Sequence, residues 1–278
     1  MNMNTNTSTN APFAFPLAIQ TVLPGDYQGS DFRKRLSLLQ ELGFSGIELN
    51  IACPEKVDPA DLKALLGEYG LRLTMFASGA TAKAEGRSLS DEDEGVRGAS
   101  IERCKELVDY AAEFGAGVIV GFLKGGVSPD PEGARRRFRD SIASLETHIR
   151  ARQVPLLIEA TNRYESSVAN SLQDAANLIE DLANPYLRIL PDTFHMNIEE
   201  RSMAGALIKY RHLYDSVHIS DNNRLFPGLG AIDFFAVLRF LRDMGYSGGV
   251  AIEGNVRQTF EQDVEASVAM LNPMLTYL

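Results

Sequence analysis

Eight short apolar or β-branched runs recur along the chain, and each is followed by a longer stretch in which apolar residues return every three or four positions. A run of the first kind suits a strand and a stretch of the second kind an amphipathic helix, so the repeat reads as consecutive βα units. The runs are PLAIQTV (16–22), GIELN (46–50), LRLTMFA (71–77), GVIVGFL (117–123), PLLIEA (155–160), LRILP (187–191), SVHIS (216–220) and GGVAIEG (248–254). Eight such units in 278 residues match the size of a (β/α)8 barrel, whereas a doubly wound sheet more often has about five to seven strands. The expected fold is α/β, a single (β/α)8 TIM barrel.

Helix boundaries are legible at several places. SDFRKRLSLLQELG offers Ser30 or Asp31 as an N-cap and Gly43 as a stop, DPADLKALLGEYG offers Asp58, Pro59 and Gly70, and AIDFFAVLRFLRDMG ends at Gly245. Residues 78–94, rich in Ser, Gly and charge, are expected to be the longest loop, and a loop of that length in a compact domain is more often functional than idle. No Pro/Ser-rich linker interrupts the alternation, so one barrel domain is expected over 13–278. The opening MNMNTNTSTN lacks the charge and apolar core of a signal peptide, and 1–12 is expected to be a disordered polar tail.

The formal charge of −10 argues against nucleic acid, whose phosphates need clustered Lys and Arg. No apolar run is long enough for a bilayer span, so no membrane partner is expected. Cys53 and Cys104 stand too far apart to suggest a disulfide framework or a thiolate zinc site, and a cytoplasmic location fits them.

Barrel enzymes carry their chemistry where the strands end. The fifth run ends in Glu159, the sixth leads into Asp192, the seventh contains His218, and the eighth reaches Glu253. Taken singly, each has a plainer reading: a carboxylate after a strand commonly caps a helix or faces water, and a lone histidine between Val217 and Ile219 can be a satisfied interior residue. Taken together they place three carboxylates and one imidazole around one axis. Carboxylates so placed repel one another unless a cation joins them. The donor set suits one divalent metal ion, Mn²⁺ first, with Mg²⁺, Co²⁺ or Zn²⁺ as alternatives. The chain contains no nucleotide P-loop pattern, no H-E-x-x-H and no G-x-S-x-G. LFPGLGAID (225–233) reads as a tight turn before a helix that begins at Ile232.

The segments EATNRYE (159–165), PDTFHMNIEE (191–200), HISDNNRLFPGLGAID (218–233) and VAIEG (250–254) resemble the D-tagatose 3-epimerase and D-psicose 3-epimerase group of the xylose-isomerase-like sugar isomerase and epimerase superfamily. DTFHMNIEE is the most specific part of a likeness that covers roughly residues 16–255. The resemblance implies that Glu159, Asp192, His218 and Glu253 hold the metal and that Glu159 and Glu253 are also the catalytic acid and base. It further implies that Glu165, His195 and Arg224 bind the substrate, a small-molecule sugar, and that the protein is a homo-oligomer, dimer or tetramer. The implied reaction is metal-dependent epimerisation of a ketose at C3 through an enediolate. An aldose–ketose isomerase or a dehydratase, acting on a related polyol ketone or sugar phosphate, would use the same site.

The chain departs from that group in having no Trp. Tryptophans flank the distal end of the sugar there, so the wall here is expected from Phe76, Phe122 and the 78–94 segment instead. Arg224, Arg257 and Lys124 are candidates for a phosphate clamp. An apurinic endonuclease of the same superfamily would need more than four histidines, of which His148 and His212 are expected in helices, and a basic face. A binding protein without catalysis would have no use for the acids at 159 and 253.

Overall fold

In the computed structural model, which describes residues 14–277, eight parallel strands curl around one axis with helices outside. The expected polar tail over 1–12 lies outside the described residues. The strands are β1 (Leu17–Val22), β2 (Gly46–Asn50), β3 (Arg72–Ala77), β4 (Gly117–Val120), β5 (Leu156–Glu159), β6 (Leu187–Leu190), β7 (Ser216–Ile219) and β8 (Gly249–Ile252). Each lies within its expected run, because β-branched and apolar side chains on both faces suit a strand covered on both sides.

The hydrogen-bonded order is β6-β5-β4-β3-β2-β1-β8-β7, which leaves β6 and β7 to close the ring. They meet through a parallel bridge between Asp192 and His218, with the His218 amide donating to the Pro191 carbonyl at 2.8 Å and the Ile189 amide to the Leu213 carbonyl at 2.9 Å. The fold is therefore a single (β/α)8 barrel. Pairing of β2 with β3 shifts register between Ile47 and Glu48, a bulge that leaves Thr74 unpaired beside Glu48.

Outside the barrel run α1 (Ser30–Glu41), α2 (Pro59–Glu68), α3 (Gly79–Glu85), α4 (Glu94–Ala112) and α5 (Pro131–Arg152). They are followed by α6 (Leu172–Ile179), α7 (Thr193–Glu199), α8 (Met203–Lys209), α9 (Phe234–Asp243) and α10 (Phe260–Tyr277). Asp58 caps α2 through the Ala60 amide, and α2, α1 and α9 are followed by Gly70, Gly43 and Gly245 in the left-handed region that glycine enters without strain. Two expected starts move: Gly29 is the N-cap of α1, with Ser30 already helical, and α9 begins at Phe234 behind the Asp233 cap.

The segment 78–94 is not one long loop. Its Ala-rich centre forms α3, held at the start by Asn50 Oδ1 accepting from the Ala80 amide at 3.0 Å and by Thr81 Oγ1 donating to the Ile51 carbonyl at 2.6 Å. Gly86, at φ 63°, ends it. Flanking Ser and Gly conceal helix formers whose partners lie thirty residues away.

The hydrophobic core divides in two. The larger part fills the space between strands and helices, and a small inner one, Ala77, Ile119, Leu157 and Leu190 with Met75 against it, plugs the barrel below the strand ends. Phe76 belongs to the outer core, edge-on to Tyr110, and not to the wall of the mouth. Alternate side chains of a strand face opposite sides, so Met75 and Ala77 point inward and Phe76 out. Because the inner core has so few members, Leu157→Ala is expected to lower unfolding free energy by about 2–5 kcal/mol, read by denaturant unfolding; a loss well under 1 kcal/mol would mean the barrel interior repacks freely.

Candidate active site

The closing seam places the chemistry. Asp192 follows β6, His218 sits in β7, and their bridge brings the two side chains to the same level, with His218 Nδ1 3.9 Å from Asp192 Oδ2. Glu159 at the end of β5 lies 3.9 Å from the same nitrogen, and Glu253 beyond β8 lies 2.6 Å from it. One ligand atom from each of Glu159, Asp192, His218 and Glu253 falls within 4.8 Å of all the others. The four residues expected from the strand ends are thus brought together.

Their surroundings fit a cation. Glu159 Oε1 is buried without a hydrogen-bond partner, a state that is unfavourable for a carboxylate unless something positive approaches it. The Glu159 carboxylate occupies space that only glycine leaves: a Cβ on Gly121 would stand 2.4 Å from Glu159 Oε2. Asp192 caps a helix and also reaches the cluster: Oδ1 accepts from the Phe194 amide at the start of α7 while Oδ2 faces the other carboxylates and His218. Among the described residues, Glu159, Asp192, His218 and Glu253 form a set that could hold a metal ion.

An acid not anticipated completes the arrangement. Glu48 in β2 is 1% exposed, and its Oε2 lies 2.8 Å from His218 Nε2. A carboxylate on one ring nitrogen leaves the other free to face a cation, and that other is Nδ1. The sequence did carry a signal: GIELN sets an acid between Ile47 and Leu49 on the inward face of a buried strand, away from the strand end where reactive groups were sought.

Arg224 and His218 hold the carboxylates in this geometry. The Arg224 guanidinium is 2.6 Å from Asp192 Oδ2 and 2.8 Å from Glu253 Oε1, and it lies over the Phe194 ring. Arg224 adopts φ 62°, unusual for a residue with a side chain, in a loop wound around Asp221. The fully buried Asp221 carboxylate accepts from the amides of Gly228, Gly230 and Ile232 at 2.8–3.0 Å, which accounts for the Gly-rich spelling of that turn.

These contacts set the protonation states. Burial, then the Glu253 carboxylate, pushes Glu159 up to about 7. Burial acts on Glu253 in the same direction, but Arg224 and His218 outweigh it and hold that carboxyl well below the usual range. For His218, burial opposes charge, yet Glu48 and Glu253 on its two sides raise it well above an ordinary histidine.

His195, buried in α7, is lowered by burial. Its Nδ1 accepts from the Asn162 amide at 3.2 Å and from Asn162 Nδ2 at 2.9 Å, so the neutral ring carries its proton on Nε2, 4.0 Å from Glu159 Oε1. Asn162, another residue not anticipated, also donates to Glu165 Oε1 at 2.9 Å. Glu165, His195 and Arg224 line one chamber with Glu159 and Glu253. Lys124 lines it too, fully buried, with Nζ donating to the Glu159 carbonyl at 2.9 Å and Thr161 Oγ1 at 2.7 Å. Burial brings that ammonium down to about 8. Arg224 is already engaged by carboxylates and Arg257 is exposed outside the chamber, so the three cations do not form a clamp. His148 is in α5 as expected, whereas His212 lies in the turn after α8. Among the described residues, no helix is long and apolar enough to cross a membrane.

Comparison with known proteins agrees with this geometry. The family described as xylose isomerase-like TIM barrel matches residues 36–274. A ketose 3-epimerase of Arthrobacter globiformis is 29% identical over 236 residues, 84% of this chain and 80% of that protein. The 3-dehydro-D-guloside 4-epimerase of Escherichia coli is 30% identical over 234 residues, 81% of this chain and 87% of that one. The crystal structure of an E. coli 3-keto-D-glucoside 4-epimerase superimposes with a TM-score of 0.77 at 26% identity, covering 94% of this chain and 98% of the other.

Below about 7 Glu159 is a neutral acid, and His218 holds a proton between two carboxylates; both states oppose a cation. Because two protons must leave, Mn²⁺ affinity is expected to fall by about a hundredfold for each pH unit lowered below neutrality. Calorimetric titrations in buffers of different ionisation enthalpy measure both quantities, and an affinity independent of pH would contradict these assignments.

Proposed function

Because the chain belongs to the xylose isomerase-like TIM barrel family, we propose that it is a metal-dependent sugar epimerase that inverts carbon 3 of a ketose. The observation that carries this reading is the pair Glu159 and Glu253, which come from separate strands of the barrel wall, β5 and β8, and meet in one chamber as members of a set that could hold a cation. Relatives named as ketose 3-epimerase and D-psicose 3-epimerase support the choice of substrate class.

Inversion beside a ketone requires that a proton leave carbon and another arrive on the opposite face. One carboxylate of the pair takes the proton from carbon 3, and the electron pair left behind delocalises into the adjacent carbonyl as an enediolate. The other carboxyl returns a proton to the opposite face, and the roles exchange in the reverse direction. Atoms and electrons balance without a redox partner. A divalent cation held by Glu159, Asp192, His218 and Glu253, with Mn²⁺ as the proposed ion, would stabilise the negative charge that develops on the sugar oxygens.

The remaining residues position. His195 presents its Nε2 proton to a sugar oxygen, Glu165 accepts a hydroxyl proton, and Arg224 both orients Asp192 and Glu253 and closes that side of the chamber. Glu48 keeps the His218 proton on Nε2, leaving the Nδ1 lone pair for the ion. Isomerisation or dehydration would start from the same proton abstraction, and product analysis separates them.

In D₂O with Mn²⁺ and a panel of ketohexoses, NMR is expected to show deuterium entering at C3 together with the 3-epimer. Exchange at C1 with aldose formed would replace this reading by an isomerase. Glu253→Gln is expected to lower kcat by about 10²–10⁴; turnover retained with metal still bound would remove its role in proton transfer. Glu48→Gln, equal in size, is expected to weaken Mn²⁺ binding by about 10–100-fold with a smaller effect on kcat at saturating metal. Unchanged affinity would reduce Glu48 to a packing role.

A further inference from the structure

The two halves of the barrel mouth differ. Over β5–β8 lies the chamber of about 50 Å³ bounded by Glu165, His195 and Arg224. Over β1–β4 lies an open groove of about 300 Å³ bounded by Gln20, Val22, Asn50 and Lys83. Gly121, Phe122, Glu159 and Glu253 line both, so the acid pair stands on the boundary. A sugar that puts its reacting carbon between the acids and its carbonyl end in the chamber sends its remaining carbons into the groove.

A ketohexose has only three carbons beyond the reacting one. They would leave much of the open groove unfilled. A further sugar ring would extend along that space.

The groove's surface suits such a unit. Phe122 is 66% exposed at the boundary, beside Gly79 at the start of α3, where a Cβ would stand 3.5 Å from the ring. An exposed aromatic face beside a polar cleft matches the C–H face of a pyranose. Gln20 Oε1 is buried with no hydrogen-bond partner, an acceptor for a hydroxyl. Lys83 on α3 is exposed over the groove as a donor. The groove holds no cluster of cations that would call for a phosphate.

We propose that the substrate is a glycosylated ketose, with the ketose at the acid pair and a second sugar ring in the β1–β4 groove against Phe122. This rests on the epimerase reading for the ketose end alone. The Mn²⁺-loaded protein is offered D-fructose and 6-O-glucosyl-D-fructose, with affinity read by calorimetry and C3 exchange read by NMR in D₂O. The glycosylated ketose is expected to bind at least tenfold more tightly, with kcat/KM higher in the same sense. Val22→Trp, which fills the groove from the exposed end of β1, is expected to reduce that preference tenfold.

Equal or better binding of free fructose would overturn the proposal while leaving the epimerase reading intact. Tighter binding of the glycosylated sugar, sensitive to Val22→Trp but without exchange, would support the groove and sink the epimerase reading. Failure of both sugars to bind would overturn both.

Discussion

The structure is organised around a cost that the fold imposes on itself: four carboxylates, Glu48, Glu159, Asp192 and Glu253, are drawn to one buried imidazole. Like charges at this spacing and in low dielectric repel by far more than any one hydrogen bond returns. The fold balances them with His218 at the centre, Arg224 across two of them, and one oxygen of Glu159 left unmatched. A divalent ion would complete that balance, and the unmatched oxygen is where its contribution would be felt most.

Much that looks incidental serves this centre. Gly121 leaves room for the Glu159 carboxylate, and a single methyl group there would displace it. Asp221 draws four amides around itself, those of Asn222, Gly228, Gly230 and Ile232, and so fixes the turn on which Arg224 takes a left-handed backbone. Such a conformation persists only where surrounding contacts over-determine it. Asn162 orients His195 and Glu165 with one side chain, so two groups that line the chamber share one support.

The asymmetry of the mouth follows from where these groups lie. Glu159, Glu165, His195, Arg224 and Glu253 reach the chamber from the β5–β8 half, Lys124 enters from beyond β4, and the closing seam between β6 and β7 runs beside them. The β1–β4 half adds Glu48 beneath His218 and Lys124 at the chamber's edge, while Phe122 and α3 shape a cleft that opens from the acid pair.

Strand positions were legible because alternation of apolar runs with amphipathic stretches is a local property, and each observed strand falls within its run. The four-residue cluster could be found because a barrel brings strand ends together whatever else it does. Glu48 and Asn162 were hidden, since their meaning lies in partners 170 and 33 residues away. The helix within 78–94 was hidden for the same reason, its first turn being held by Asn50 and Ile51. Phe76 and Phe122 show the limit sharply: the inward or outward facing of Phe76 depends on strand phase beside a bulge, and the exposure of Phe122 depends on what α3 leaves uncovered. The sequence by itself determined the barrel and the types of side chain at its mouth, because periodicity and residue chemistry act locally. Only the tertiary structure decided which carboxylate meets each nitrogen of His218, which oxygen is left without a partner, and how far the mouth extends, because those are distances between parts of the chain that no local pattern encodes.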